Sequence, residues 1–228
     1  MSNKRPNVVA VAFEGPCYAG KSTLISKVNE QIPKTKIISE YSNLCVLPPF
    51  PPADITQARS ALEELLIVEK GRSDVLLEQS SSGIYLMDRS PICCIAFEYA
   101  KSKLGIPSEL SLSVQLFSEA AESGQVYEPD GYVYMDIKHE IARQRALVRG
   151  PVLPFLMDPV SLKYFVEIYD CFFMEVMPQS RCIRLDGGEL LQHCVDATIA
   201  FIEDVWQLGP DQCSRWPSLL SRVCDAIS

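Results

Sequence analysis

The sequence has little of what builds a metal centre or a disulfide framework. It holds two histidines, and its nine cysteines (17, 45, 93, 94, 171, 182, 194, 213 and 224) are scattered, with no CxxC spacing. That distribution argues against zinc or redox pairing and points to reduced, packed thiols in a cytoplasmic protein. Basic residues are also scarce: 21 Lys and Arg stand against 29 Asp and Glu, a net charge of −8. A chain of that sign is not expected to coat nucleic acid. Long apolar runs are missing as well. The run at 8–13 stops at Glu14, far short of the roughly 20 residues a membrane helix needs, and no secretory signal is expected from it. No repeat and no low-complexity linker interrupts the chain; the proline-rich 47–52 segment is a local loop. What remains, 47% hydrophobic and 22% charged over 228 residues, suits one globular domain with a proper core.

Short apolar runs alternate with longer stretches of helical periodicity, which predicts an α/β fold with a mostly parallel sheet. Five strands are expected at 7–13, 36–39, 84–87, 131–135 and 182–185. Helices are expected from 21 to about 31, after Pro51-Pro52, over 110–121, over 139–149, over 160–176, and from about 189 to a stop at Gly209-Pro210. Asp54 and Gln57 have capping-box spacing, and Ala58, Leu62, Leu65 and Leu66 form the apolar stripe that follows. Residues 211–228 read as a short appended helix.

The most specific motif is Gly15-Pro16-Cys17-Tyr18-Ala19-Gly20-Lys21-Ser22, a GxxxxGKS loop between a β-branched strand and a helix. Chemistry demands that context: glycines let the backbone wrap phosphates, and the N–H groups opening the helix form an anion site. Lys21 is placed to reach the β- and γ-phosphates of ATP, and Ser22 to ligate Mg2+. No Asn-Lys-x-Asp guanine-reading sequence and no DxxG switch accompanies it, so a small-molecule kinase leads over a GTPase or a motor.

Three further signals surround the loop. Asp88-Arg89-Ser90 closes the third strand, where an acid and a cation can both face the nucleotide crevice; Asp88 is a candidate for the metal shell and Arg89 for a phosphate. Ser39-Glu40-Tyr41 closes the second strand, and a carboxylate there can take the proton of an attacking hydroxyl. Arg145 and Arg149 stand four apart on the 139–149 helix, sharing a face that can clamp a transferring phosphoryl group.

Taken in order, these residues resemble the thymidylate kinase and deoxynucleoside kinase superfamily over residues 7–190. Phe13-Glu14-Gly15 with Ala19-Gly20-Lys21-Ser22-Thr23 looks like the start of either branch, Asp88-Arg89-Ser90 falls between their two motifs, and Gln144 to Gly150 is similar to the deoxynucleoside kinase lid. The resemblance implies a five-stranded P-loop kinase domain over 1–228 with a lid at about 138–158. It implies Glu40 as base, Arg89, Arg145 and Arg149 at the phosphates, and Asp186-Gly187 near the adenine. It also implies that Arg72 is directed at the acceptor's base, that Tyr41 and Cys94 belong to the acceptor pocket, and that the protein is a homodimer through the long second helix. The chain departs from both branches where a base is read. Pro16, Cys17 and Tyr18 occupy the variable loop positions, Cys94 stands where deoxynucleoside kinases place an aspartate, and Glu63 where they place a glutamine. Phe50, Tyr41 and Tyr99 are aromatic candidates for stacking.

No Lys or Arg lies between Ile37 and Ala58, although a monophosphate acceptor brings about two negative charges that need balancing. The reading therefore favours an uncharged acceptor or an acceptor phosphate placed elsewhere. Three functions stay open: a nucleoside or nucleoside-monophosphate kinase, a kinase of a non-nucleoside metabolite or antibiotic, and a nucleotide-binding regulator without small-molecule turnover.

Overall fold

A computed structural model describes residues 8–78, 82–150, 153–209 and 216–227. Its five strands are β1 (Val8–Glu14), β2 (Thr35–Ile38), β3 (Gly83–Asp88), β4 (Gly131–Asp136) and β5 (Cys182–Asp186). All pairings are parallel, in the order β2-β3-β1-β4-β5. The expected strands each shift by a residue or two, and Asn7 lies outside the described residues.

The strand sequences explain why helices cover both faces. Side chains alternate along a strand, and in β1 both alternating sets are apolar. Val8, Ala10 and Ala12 enter one core cluster while Val9, Val11 and Phe13 enter the other. β4 repeats this with Tyr132 and Tyr134 on the first side and Val133 and Met135 on the second. Strands buried on both faces are typical of parallel sheets.

Eight α-helices are described: α1 (Lys21–Gln31), α2 (Ile55–Leu77), α3 (Pro91–Lys103), α4 (Leu110–Glu122), α5 (His139–Arg149), α6 (Pro159–Asp170), α7 (Leu191–Leu208) and α8 (Trp216–Ile227). α1 and α7 cover one face through Leu24, Val28, Ile202 and Val205. The other face carries α2, α3, α4, α6 and α8, with Leu62, Tyr99, Phe117, Phe165 and Trp216 in one cluster. Trp216 is fully buried and its indole N–H donates to Tyr132 Oη at 2.8 Å, so the appended helix is part of the core. The residues between α7 and α8, 210–215, lie outside the description.

Two helical features differ from expectation. The 160–176 helix is α-helical only to Asp170 and continues as a π-helical turn, Cys171–Val176. α3 was not anticipated at all. Ile92, Cys94, Ile95, Ala96, Tyr99 and Ala100 bury several sides of it, so its sequence lacks the one-sided periodicity that marks a surface helix. Its start nonetheless has a physical cause: Ser90 caps the Ile92 N–H and Pro91 occupies the first helical position.

Candidate active site

The parallel strands deliver their C-terminal ends to one edge, and the loops there assemble a site from segments far apart in sequence. The phosphate loop comes first. Gly15 has φ +127°, and a Cβ on it would lie 2.1 Å from the Met135 carbonyl oxygen. Only glycine permits that approach of the loop to β4. Gly20 precedes α1 with no side chain capping the helix's first N–H groups, which leaves them available to an anion. Ala19 is buried beneath the loop. Lys21 is buried, and its ammonium donates to the carbonyls of Gly15 (2.9 Å) and Pro16 (2.7 Å). Burial, reinforced by the Arg89 charge, pushes its pKa down to about 8.

Ser22 and Asp88 meet beside the loop, the Ser22 hydroxyl donating to Asp88 Oδ2 at 2.7 Å. Asp88 Oδ1 is buried without a hydrogen-bond partner among the described residues. A hydroxyl and a carboxylate oxygen together fit a magnesium ion, which takes one or two protein oxygens and otherwise uses phosphate and water.

Arg89 occupies a left-handed backbone conformation, φ 69°, uncommon for a residue with a side chain. Five hydrogen bonds hold the turn. Arg89 N–H donates to the Phe13 carbonyl at 3.1 Å, and Ser90 donates both its N–H and its hydroxyl to Glu14 Oε1 at 2.6 Å. Arg72 Nη2 donates to the Asp88 and Arg89 carbonyls at 3.0 and 2.8 Å, making a bifurcated clasp. Glu14 is wholly buried, and burial raises its pKa against the pull of Arg89 and Ser90.

Arg72 therefore sits elsewhere than the resemblance implied. It is 2% exposed and does not line the cavity that Glu40 and Arg89 border. Its Nη1 is 2.5 Å from Glu69 Oε2, and its guanidinium stacks 4.6 Å from the Tyr41 ring centre. The Tyr41 hydroxyl donates to the same Glu69 oxygen at 2.7 Å. Arg72 and Glu69 form a buried brace behind the site. Tyr41 presents its ring to the cavity and spends its hydroxyl on the brace.

Glu40 follows β2 and faces Arg89, with Oε2 3.3 Å from Arg89 Nε and Oε1 accepting the Ser42 hydroxyl. Burial works to raise its pKa, but Ser42 and Arg89 outweigh burial and hold it below the usual glutamate range. Arg89 also donates to the Gly15 carbonyl at 3.3 Å and touches Cys17 Sγ at 3.5 Å. Glu40, Arg89 and the first half of the phosphate loop thus form one end of a cavity of about 360 Å³. Its walls come from the 47–52 loop, α2, α3, the segment after α5, and α6. Cys94 and Phe50 line it; Glu63 is exposed and does not, and Tyr99 is in the core, bonded to Glu167 at 2.5 Å.

The arginine helix α5 lies over the phosphate loop. Arg145 donates to the carbonyls of Tyr18 (3.0 Å), Ala19 (3.1 Å) and Gly187 (2.7 Å). Arg149 reaches Thr23 Oγ1 at 3.3 Å, and the Tyr18 hydroxyl donates to the Gly150 carbonyl at 2.6 Å. Asp186 is exposed at the end of β5, capping the Gly188 N–H at 2.7 Å. Beside it, a Cβ on Gly187 would lie 2.4 Å from the Ala19 carbonyl, so the turn after β5 packs directly on the phosphate loop. The pattern of residues missed Glu14, Glu69, Phe97 and Leu156. Glu14 read as the end of an apolar run, and α3, which carries Phe97, showed no helical stripe.

A five-stranded parallel sheet with this loop and this lid helix defines a P-loop kinase fold. No family model matches the chain, and no curated protein matches it in sequence. Solved structures do match. Deoxyadenosine kinase from M. mycoides with bound dATP superposes with a TM-score of 0.67, covering 86% of this chain and 100% of that one at 12% identity. The same enzyme with dCMP and a flexible dCDP gives 0.66, covering 86% and 99%, again at 12% identity. The fold is therefore shared with these deoxyadenosine kinase structures.

Proposed function

We propose that the protein is an ATP-dependent kinase that moves the γ-phosphoryl group to a hydroxyl of a small molecule, by the nucleoside-kinase type of reaction. One observation carries this reading: Glu40, Arg89 and the phosphate loop line the same end of one cavity, beside the Ser22–Asp88 pair. The domain is taken as 1–228, with residues 138–158 as its lid.

In this reading the N–H groups of Gly20 to Thr23, together with Lys21, hold the triphosphate. Ser22 and Asp88 would hold Mg2+, which supplies charge neutralisation of the phosphates when bound. Asp186 lies on the adenine side. Glu40 accepts the proton of the acceptor hydroxyl while that oxygen bonds to the γ-phosphorus and the bond to the β–γ bridging oxygen breaks, releasing ADP. Arg89, already hydrogen-bonded to Glu40, balances the charge on the transferring group, and α5 brings Arg145 and Arg149 to it on closure. The acceptor is a hydroxyl rather than a phosphate, because the cavity's two cations are engaged. Arg89 binds Glu40, and Lys101 pairs with Glu98 at 2.5 Å. A homodimer through α2 belongs to the same reading; that helix leaves Ile67 and Val75 exposed.

Glu40→Gln should lower kcat by about 100- to 10,000-fold while ATP affinity and the melting temperature hold. Wild-type turnover by Glu40→Gln would remove Glu40 as the base. Because Glu40 is held ionised, activity should fall only at pH below the usual glutamate range.

A further inference from the structure

The chemical end of the cavity is polar, and its body is not. Leu47, Phe50, Leu62, Leu65, Phe97 and Phe165 supply the body. Phe50 packs on Phe97 at 5.3 Å and on Phe155 at 4.7 Å between ring centres, and Phe97 packs on Phe165 at 6.0 Å, closing one wall from four separate segments. Among the described residues no Asn, Gln, His, Asp or Thr lines this cavity. From Cys93 to Lys101 the lining follows α3 for about 12 Å, and the only charges met along it are Glu98 and Lys101. These satisfy each other, and Glu98 Oε2 also accepts the Glu109 N–H at 2.7 Å. Tyr41 has spent its hydroxyl on Glu69, and Tyr169 is the other phenol of the lining.

A nucleobase carries several donors and acceptors on its edge, and among the described residues the lining offers no side-chain amide, imidazole, Asp or Thr to answer them. Each polar group buried without a partner weakens binding by about tenfold. Resting on the kinase reading above, we infer that the acceptor is an alcohol with an apolar, ring-bearing body, and that nucleosides are selected against. Its hydroxyl meets Glu40, and its body fills the phenylalanine-lined wall. A volume of 360 Å³ corresponds to roughly a dozen waters, enough for a two-ring hydrocarbon with a short hydroxylated arm. Phosphorylation would turn that alcohol into a monoester of low membrane permeability.

Calorimetric titration of the full chain with 2-(1-naphthyl)ethanol, thymidine, deoxycytidine and deoxyadenosine tests the selectivity without requiring turnover. The naphthyl alcohol should bind about 100-fold more tightly than any of the nucleosides, the expected loss for two unanswered polar groups. Ala61→Trp and Leu65→Arg, both at half-buried lining positions, should each abolish that binding with an unchanged circular dichroism melt. A nucleoside that binds as tightly as the naphthyl alcohol, or no binding of the alcohol, overturns the inference. Acceptor-stimulated ADP release, read in parallel, keeps the two proposals apart. Binding of the alcohol without turnover of any acceptor removes the kinase reading alone, whereas efficient turnover of a nucleoside removes the selectivity alone.

Discussion

Arg89 concentrates the site's physical demands in one residue. Its left-handed backbone costs on the order of 1–3 kcal/mol, and the turn persists because Glu14, Phe13 and Arg72 hold it from three sides. Arg72→Ala should therefore act on stability. It strips the partner from a buried Glu69 and should destabilise the fold by about 3–5 kcal/mol, read by urea unfolding. An arginine that contacted the acceptor would instead raise the acceptor KM and leave the unfolding midpoint alone. Lys21 gives a second outcome. Its pKa of about 8 means the free protein loses that proton as pH rises through 8. Triphosphate binding must then restore the charge, so ATP affinity should fall by about tenfold between pH 7 and pH 9; an affinity flat over that range contradicts it. Glu40, Asp88 and Arg89 were legible because residues at parallel strand ends converge on one edge whatever the packing. Arg72 was not. A helix position does not reveal which neighbour its guanidinium will meet, and here the partners were Glu69, the Tyr41 ring and two backbone carbonyls.

At the scale of elements, two turns and a helix pack closely around the phosphate loop's end of the sheet. The turn after β5 rests on the phosphate loop at Gly187, and Arg145 of α5 ties both together through three carbonyls. Gly187→Ala has no room for its methyl group and should cost about 1–3 kcal/mol, with weaker ATP binding in a nucleotide titration. Arg145→Ala should cost about 1–3 kcal/mol through the lost carbonyl bonds and also slow phosphoryl transfer. Transfer at the wild-type rate would make Arg145 a structural tie alone. The capping residues of α2 were readable, and Asp54 accepts the Gln57 N–H at 2.9 Å. The reciprocal bond differs: Gln57 accepts from Ala53, one residue before the cap. α3 escaped notice for a physical reason. Apolar residues on several faces erase periodicity, although Ser90-Pro91 held the capping signal that marks its start.

At the scale of the whole molecule, the alternation of apolar runs and amphipathic stretches contained the architecture, because strands buried on both faces leave parallel pairing under helices as the stable arrangement. The cavity was not contained in any pattern. It is walled by side chains from five segments spread between Leu47 and Tyr169, and only the packed chain brings Phe50, Phe97 and Phe165 together. The central claim is that this cavity presents an acceptor hydroxyl to Glu40 under a triphosphate held by the loop. Acceptor-stimulated ADP formation, measured with ATP and Mg2+ for wild type and Glu40→Gln across a panel of small alcohols including nucleosides, tests it most directly. The account predicts stimulation by at least one alcohol in the wild type, reduced about 100-fold or more in Glu40→Gln at unchanged ATP affinity. ADP release that no acceptor raises above the hydrolytic background, or that Glu40→Gln leaves intact, contradicts it.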